Sequence, residues 1–176
     1  LAAHPSVRGT VIDLNQNETV RTAYSAWQSD LTNVEKANAV AATIRTLIVN
    51  TWQQQGALSY LVLVGDDRAL PFYRIRDLTD LYPEKTYGET DKTHPTGAAL
   101  YGNYYLSDDY YADREPTTYQ GHELYLPDLA VGRLVEAPSD MLRLIDAFLA
   151  NPVTHLAAQD AVLVSGYDFV QDMATN

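Results

Sequence analysis

The sequence predicts an α/β fold, a mainly parallel sheet with helices on both faces in three layers, interrupted by one long irregular loop. Three observations carry this. Tyr60 to Val64 and Ala161 to Ser165 are short, almost wholly apolar runs, and runs of that length read as strands buried on both faces, as in parallel sheets. Stretches of helical periodicity lie between the strand candidates, which is the alternation of a doubly wound sheet. Three of these candidates end on a glycine, Gly65, Gly132 or Gly166, where the chain turns at the carboxyl end of a strand and sites of open α/β sheets collect.

Taken in order, Arg8 to Leu14 is a first strand candidate, followed by the polar break Asn15-Gln16-Asn17. Val20, Ala23, Tyr24 and Trp27 recur at helical spacing and predict a short helix with that face inward. Thr32 and Glu35 have the spacing of a capping box, and Ala37, Val40, Ala41, Ile44, Leu47 and Ile48 share one face of a longer helix that Gly56 stops. The strand at Tyr60 to Val64 follows. From residue 69 to 123 the composition shifts to prolines, glycines and tyrosines, with ten of the thirteen tyrosines between Tyr73 and Tyr125. This stretch reads as the long Tyr- and Asp-rich loop, with short strands around Tyr101 to Leu106, and a loop of that length is normally functional. Leu129-Ala130-Val131 is the next strand, and Pro138-Ser139 opens a helix carrying Met141, Leu142, Ile145, Phe148 and Leu149 that Asn151-Pro152 ends. The run Ala161 to Ser165 is the last strand. The 176 residues fit a single domain.

Charge and composition exclude several functions. Twelve basic and 23 acidic residues leave a net charge of −11, which repels a phosphate backbone, so no nucleic acid partner is expected. No apolar run reaches the length of a membrane span. The first residues lack the charged and apolar regions of a signal peptide, and a start at leucine reads as a piece of a longer chain. Without any cysteine, the segment has no disulfide, thiolate metal site or cysteine nucleophile. Neither glycine-rich phosphate cradle is present, nor is a G-x-S-x-G elbow. His4, His94, His122 and His155 show no metal-binding spacing and read as solvated loop residues. Ser107 and Ser165 read as turn or cap hydroxyls.

Acidic residues are the strongest chemical signal. Asp66 and Asp67 follow the strand at its carboxyl end, where they would hold a cation, orient a basic ligand, or cap a turn. Asp77, Asp80, Asp91, Asp108, Asp109 and Asp113 fall in the long loop, with Glu123 and Asp128 at its exit. Oxygen ligands from separate loops suit a hard cation such as calcium, and a solvated acidic loop is the plainer reading. The loop tyrosines have two readings as well, as packing residues or as walls of a cleft.

Tyr60 to Asp66, Leu70-Pro71, Ser107 to Ala112 and Pro127 to Arg133, in that order and spacing, resemble the gingipain family of cysteine peptidases, and the likeness continues through Ser165 to Phe169. The resemblance implies a caspase-like α/β fold of two adjoining subdomains, of which this is the first. Its cysteine and Gly-His-Gly histidine would lie beyond Ser165, past the end of this chain, so the segment alone is expected to be inactive. It implies a structural calcium ion with Asp66 and Asp128 as ligands and Glu123 or the carbonyl of Leu126 contributing. It also implies that Asp172, or next to it Asp168, faces a basic substrate side chain, although a structural role for Asp168 in its turn fits equally.

The expected partners are then a downstream catalytic subdomain and a peptide substrate, in a bacterial protein that is extracellular or in the cell envelope. Two rival functions are a peptidase-like binding module without catalysis in a surface or secretion protein, and a carboxylate-based hydrolase acting through Asp66 and Asp67.

Overall fold

The computed structural model describes residues 1–152 except 57, 80–82, 90 and 136. The strand expected at 161–165 and the candidates Asp168 and Asp172 lie outside the described residues. The chain divides into two compact units, Val11–Leu142 and Leu1–Thr10 with Arg143–Asn176.

The larger unit opens differently from expectation. Arg8 to Leu14, expected as a strand, pairs with no strand among the described residues. Instead Asp13 accepts from the Asn15 amide and starts a 3-10 turn at Leu14–Gln16, leaving Val11 exposed. Helix α1, Glu18–Gln28, starts where the Asn17 side chain accepts the Val20 amide, and it buries Val20 and Trp27. Helix α2, Val34–Gln55, buries Ala37, Val40, Ala41, Ile44, Ile48 and Trp52. Its cap is Asn33, which takes the Lys36 amide at 2.9 Å. Thr32, expected to cap, instead donates its hydroxyl to Asp30. Both are capping types, and the one whose carbonyl side reaches the first turn wins. Gly56 ends α2 at φ +82°, a conformation that favours glycine.

Strand β1, Tyr60–Val64, is followed in the chain by β2, Tyr73–Arg76; helix α3, Pro95–Tyr101; β3, Tyr104–Ser107; helix α4, Asp109–Ala112; β4, Thr117–Tyr119; β5, His122–Leu124; and β6, Ala130–Leu134. β1 and β6 pair in parallel with Tyr60 opposite Ala130 and Val64 opposite Leu134. β2 pairs antiparallel with β3, and β4 with β5. The fold is therefore α/β in the broad sense, with a small parallel sheet and two antiparallel ones among the described residues. Nor is β1 buried on both faces. Leu63 is 2% exposed, whereas Tyr60, Val62 and Val64 are 65%, 49% and 56% exposed; the strand alternates as the pleat requires, with Leu61 and Leu63 packed on the α1–α2 core.

The stretch 69–123, expected as irregular apart from short strands around Tyr101 to Leu106, holds most of these short elements, and β3 lies where a strand was expected. Their burial is tertiary and leaves no long apolar run. The Tyr73 and Tyr110 rings stack at 3.7 Å with 5° between planes, and Tyr125 meets both edge-on. The guanidinium of Arg45, on α2, lies 4.8 Å from the Tyr110 ring centre, an attractive cation–π position. Tyr111 is fully buried and donates its hydroxyl to the Pro71 carbonyl. Of the two readings of the tyrosines, packing holds for these four. β4 and β5 form a hairpin closed by Gln120 and Gly121 at φ +50° and +82°, the two-residue turn whose twist suits paired strands.

Helix α5, Pro138–Ala150, starts at the expected proline. In the smaller unit His4 meets the Phe148 ring edge-on at 6.3 Å. No helix among the described residues is long and apolar enough to cross a membrane.

Burial pushes the Tyr24 phenol up to about 12, and its hydroxyl donates to the Ala69 carbonyl at 2.5 Å. Burial also raises Tyr110 and Tyr111. Phenols raised above their unfolded value of about 10 stabilise the fold below pH 10, and that stability is lost as pH climbs towards 12. Far-ultraviolet dichroism should therefore collapse together with the rise of tyrosinate absorbance in that window. Complete phenol ionisation near pH 10 with the dichroism intact would contradict the burial described here.

Candidate functional site

At the carboxyl end of β1, Gly65 stands at φ +127°, and a Cβ there would come within 2.7 Å of Ala69 Cβ. Only glycine fits this turn. Asp66 caps it, its Oδ1 accepting the amides of Arg68 at 3.1 Å and Ala69 at 2.9 Å. Of the three uses open to Asp66 and Asp67, turn capping is thus realised by Asp66, whose Oδ2 has no hydrogen-bond partner among the described residues and whose side chain is exposed.

Asp67 is 3% exposed and fully engaged. Its Oδ1 accepts the Phe72 amide at 2.9 Å, and its Oδ2 accepts Arg74 Nη2 at 2.8 Å and the Thr96 hydroxyl at 2.9 Å. Arg74 is buried with it and lies over the Trp27 ring at 5.4 Å. Burial pulls the Arg74 guanidinium below its ordinary value, and the charge of Asp67 opposes that shift. A carboxylate so committed is not free to act as nucleophile or base, which argues against a hydrolase built on the Asp66 and Asp67 pair.

A residue that entered the sequence reading only as the last of the Pro127 to Arg133 motif organises this turn. Arg133, the fourth residue of β6, donates Nε at 2.9 Å and Nη2 at 2.5 Å to the two oxygens of Asp108. Its Nη1 donates to the carbonyls of Gly65 and Leu70, each at 2.8 Å. The guanidinium carbon lies 4.0 Å from the Phe72 ring centre. The side chain is 7% exposed. A planar fork with five donors can hold a carboxylate and two carbonyls at once, which lysine cannot. The available signal was an arginine ending one strand with aspartates at the ends of others.

The turn forms one wall of a cleft of about 440 Å³ lined by Asp66, Asp67, Phe72, His94, Thr96 and Val135. His94 caps α3, its Nδ1 accepting the Thr96 amide at 3.3 Å.

The other candidates lie at the opposite end of the sheet. Asp66 is two residues past the end of β1, and Asp128 two residues before the start of β6. In the parallel register position 128 falls opposite position 58, eight residues from Asp66, or roughly 26 Å along the strand. One ion cannot be shared by Asp66 and Asp128. Asp128 accepts the Arg114 amide at 3.0 Å, Glu123 accepts the Tyr125 hydroxyl, and the Leu126 amide donates to Asp113 at 2.5 Å. Asp113, not singled out as a ligand, is 2% exposed, with Oδ1 unpaired in hydrogen bonds and 4.0 Å from Arg45 Nη2. Among the described residues no three Asp, Glu or His side chains converge as they stand on a point where a metal ion would sit. Glu123 and Asp128 are exposed; an ion held there would displace these hydrogen bonds and take its oxygens from them, Asp113 and the Leu126 carbonyl.

Removing Arg133 leaves Asp108 and two carbonyls without their donor. Arg133→Met should lower the unfolding free energy by about 3 kcal/mol in urea denaturation, the usual loss when one member of a buried pair is deleted. A change below about 1 kcal/mol, the size of an exposed pair, would show that the clamp is not structural.

No curated protein and no solved structure matches the chain. A family model, that of peptidase family C25, matches residues 10–174, nearly the whole sequence. The ordered run from the Gly65 turn through Asp108 to Arg133 lies inside that match, and the chain belongs to peptidase family C25, the gingipain family.

Proposed function

We propose that this chain is the non-catalytic subdomain of a gingipain-like cysteine endopeptidase, scaffolding the active site and supplying part of the substrate cleft. The carrying observation is a family match over residues 10–174 of a sequence that has no cysteine. A cysteine peptidase acts through a thiolate activated by a base, so the nucleophile and its histidine belong to a downstream subdomain of the same protein. The parallel pair β1 and β6 is read as the centre of the larger three-layer sheet of such a subdomain. Asp168 and Asp172 are the proposed contacts to the substrate's basic side chain, and the protein is proposed to work outside the cell or in its envelope.

Residues 1–176 expressed alone should hydrolyse no peptide. The full-length protein should do so and lose that activity on thiol alkylation. A full-length protein that lacks thiol-dependent hydrolysis yet retains peptide binding would replace this reading with that of a binding module.

A structural calcium ion is part of the proposal, at the Asp128 end of the sheet. Calorimetric titration of the full-length protein should show calcium binding that Asp128→Asn weakens at least tenfold and Asp66→Asn leaves unchanged. No heat with the unsubstituted protein at millimolar calcium would remove the ion from the proposal.

A further inference from the structure

We propose that the α3 wall of the cleft beside the carboxyl end of β1 is a pH-sensitive latch, closed by neutral His94 and released when the imidazole gains a proton. His94 lines two cavities at once. It shares the cleft of about 440 Å³ with Asp66, Asp67 and Thr96, and a second hollow of about 260 Å³ with Tyr87, Asp91 and Gly97. Histidine is also the side chain whose ordinary titration, at about pH 6.5, changes its hydrogen-bonding character within the physiological range.

Three contacts give that titration a mechanical effect. As the residue before α3, His94 accepts the Thr96 amide on Nδ1 at 3.3 Å, and a ring nitrogen that accepts carries no proton. The same Thr96 donates its hydroxyl to Asp67 Oδ2 at 2.9 Å, beside the buried Arg74. The cap of α3 and its tie to the β1 turn thus share one residue. A Cβ on Gly97 would lie 1.8 Å from the Asp91 carbonyl oxygen, so the first turn of α3 packs directly on the segment that carries His94. Asp91 Oδ1 holds that segment, accepting the Thr93 amide at 3.0 Å, the Thr93 hydroxyl at 2.7 Å and the His94 amide at 3.1 Å.

Protonation removes the acceptor. An imidazolium has a donor on each nitrogen, so Nδ1–H would point at the Thr96 N–H, and its charge opposes the partial positive charge of the amides at a helix start. The surrounding groups favour the proton. Asp66 and Asp67 share the larger cleft with the ring, Asp67 already neutralised by Arg74, and Asp91 and the Tyr87 phenol share the smaller. The Thr93 hydroxyl and amide hold Asp91 below the usual carboxylate range, so it keeps its charge through the window in which an imidazole titrates. The 3-10 helix Glu84–Glu89, packed on α3, brings two acids and one base, Glu84, Glu89 and Lys85. Lys92 lies over the Tyr101 ring at 3.6 Å, and neither α3 nor β3 has a charged residue. The cap bond is therefore present at neutral pH and lost as pH falls through the imidazole titration.

No step of the latch uses a substrate or a nucleophile, so its test stands apart from peptidase activity. In the full-length protein, hydrogen exchange followed by mass spectrometry reads both partners, the amides of residues 96–101 and the imidazole C2 position of His94. Corrected for the intrinsic pH dependence of exchange, protection of those amides is expected to fall about fivefold from pH 7.5 to pH 5, the usual effect of losing an N-cap. Its midpoint should coincide with that of the His94 imidazole. His94→Asn, which caps without titrating, should keep the higher protection at both pH values, and His94→Ala should show the lower protection at both. Wild-type protection that does not change with pH, or a fall that survives in either variant, overturns the latch. So does His94→Ala protected as fully as wild type at pH 7.5, or His94→Asn unprotected there, because capping by the imidazole would then not be what holds α3.

Discussion

The Arg133 guanidinium holds together parts of the chain that share no secondary structure. It comes from β6 and reaches the turn after β1, the ring of Phe72 and the start of α4 through Asp108. A charge so nearly removed from water persists only when its donors are matched, because desolvation costs several kcal/mol per ion. The matching partners are two carbonyls and one carboxylate at fixed positions, so the arginine specifies where the turn sits as well as stabilising it. The Asp67–Arg74 pair repeats the device one layer deeper and ties the same turn to β2 and α3.

These two ion pairs explain how a pair of parallel strands, β1 and β6, keeps a defined strand end. Short strands bury little apolar surface by themselves, and three β1 side chains, Tyr60, Val62 and Val64, stand in solvent on one face. The remaining order comes from α2, which contributes both the apolar stripe behind Leu63 and the Arg45 guanidinium over Tyr110. Stacked aromatic rings are worth about a kcal/mol each beyond their buried area. The Tyr73, Tyr110 and Tyr125 group therefore does in this region the work that a run of leucines and valines does in the α1–α2 core.

The two ends of the sheet are chemically different. Among the described residues the carboxyl end has one acid without an ion pair, Asp66, beside acids and bases that cancel. At the amino end Asp113 and Asp128 lie beside Arg45 and Arg114, and Asp113 keeps one oxygen without a hydrogen bond. Membership of peptidase family C25 gives both ends a context. One faces the proposed cleft and the other carries the proposed ion, and a parallel register keeps them apart.

Much of this was legible in the residues. The faces of α1 and α2, the strands at Tyr60 and Ala130, the proline start of α5 and the family all follow from local periodicity, turn residues and ordered motifs, which the chain carries without reference to its fold. Between residues 69 and 123 only the strand around Tyr104 was legible; the other elements were not, because tyrosines stacked across sequence-distant strands leave no periodic signature. The role of Arg133, the commitment of Asp67 and the separation of Asp66 from Asp128 were hidden for a related reason. Sequence determines which groups are charged and where apolar runs favour a strand, but which strands pair, whether a charge is spent or free, and which strand ends lie together depend on pairing direction and burial, and only the tertiary structure decides those.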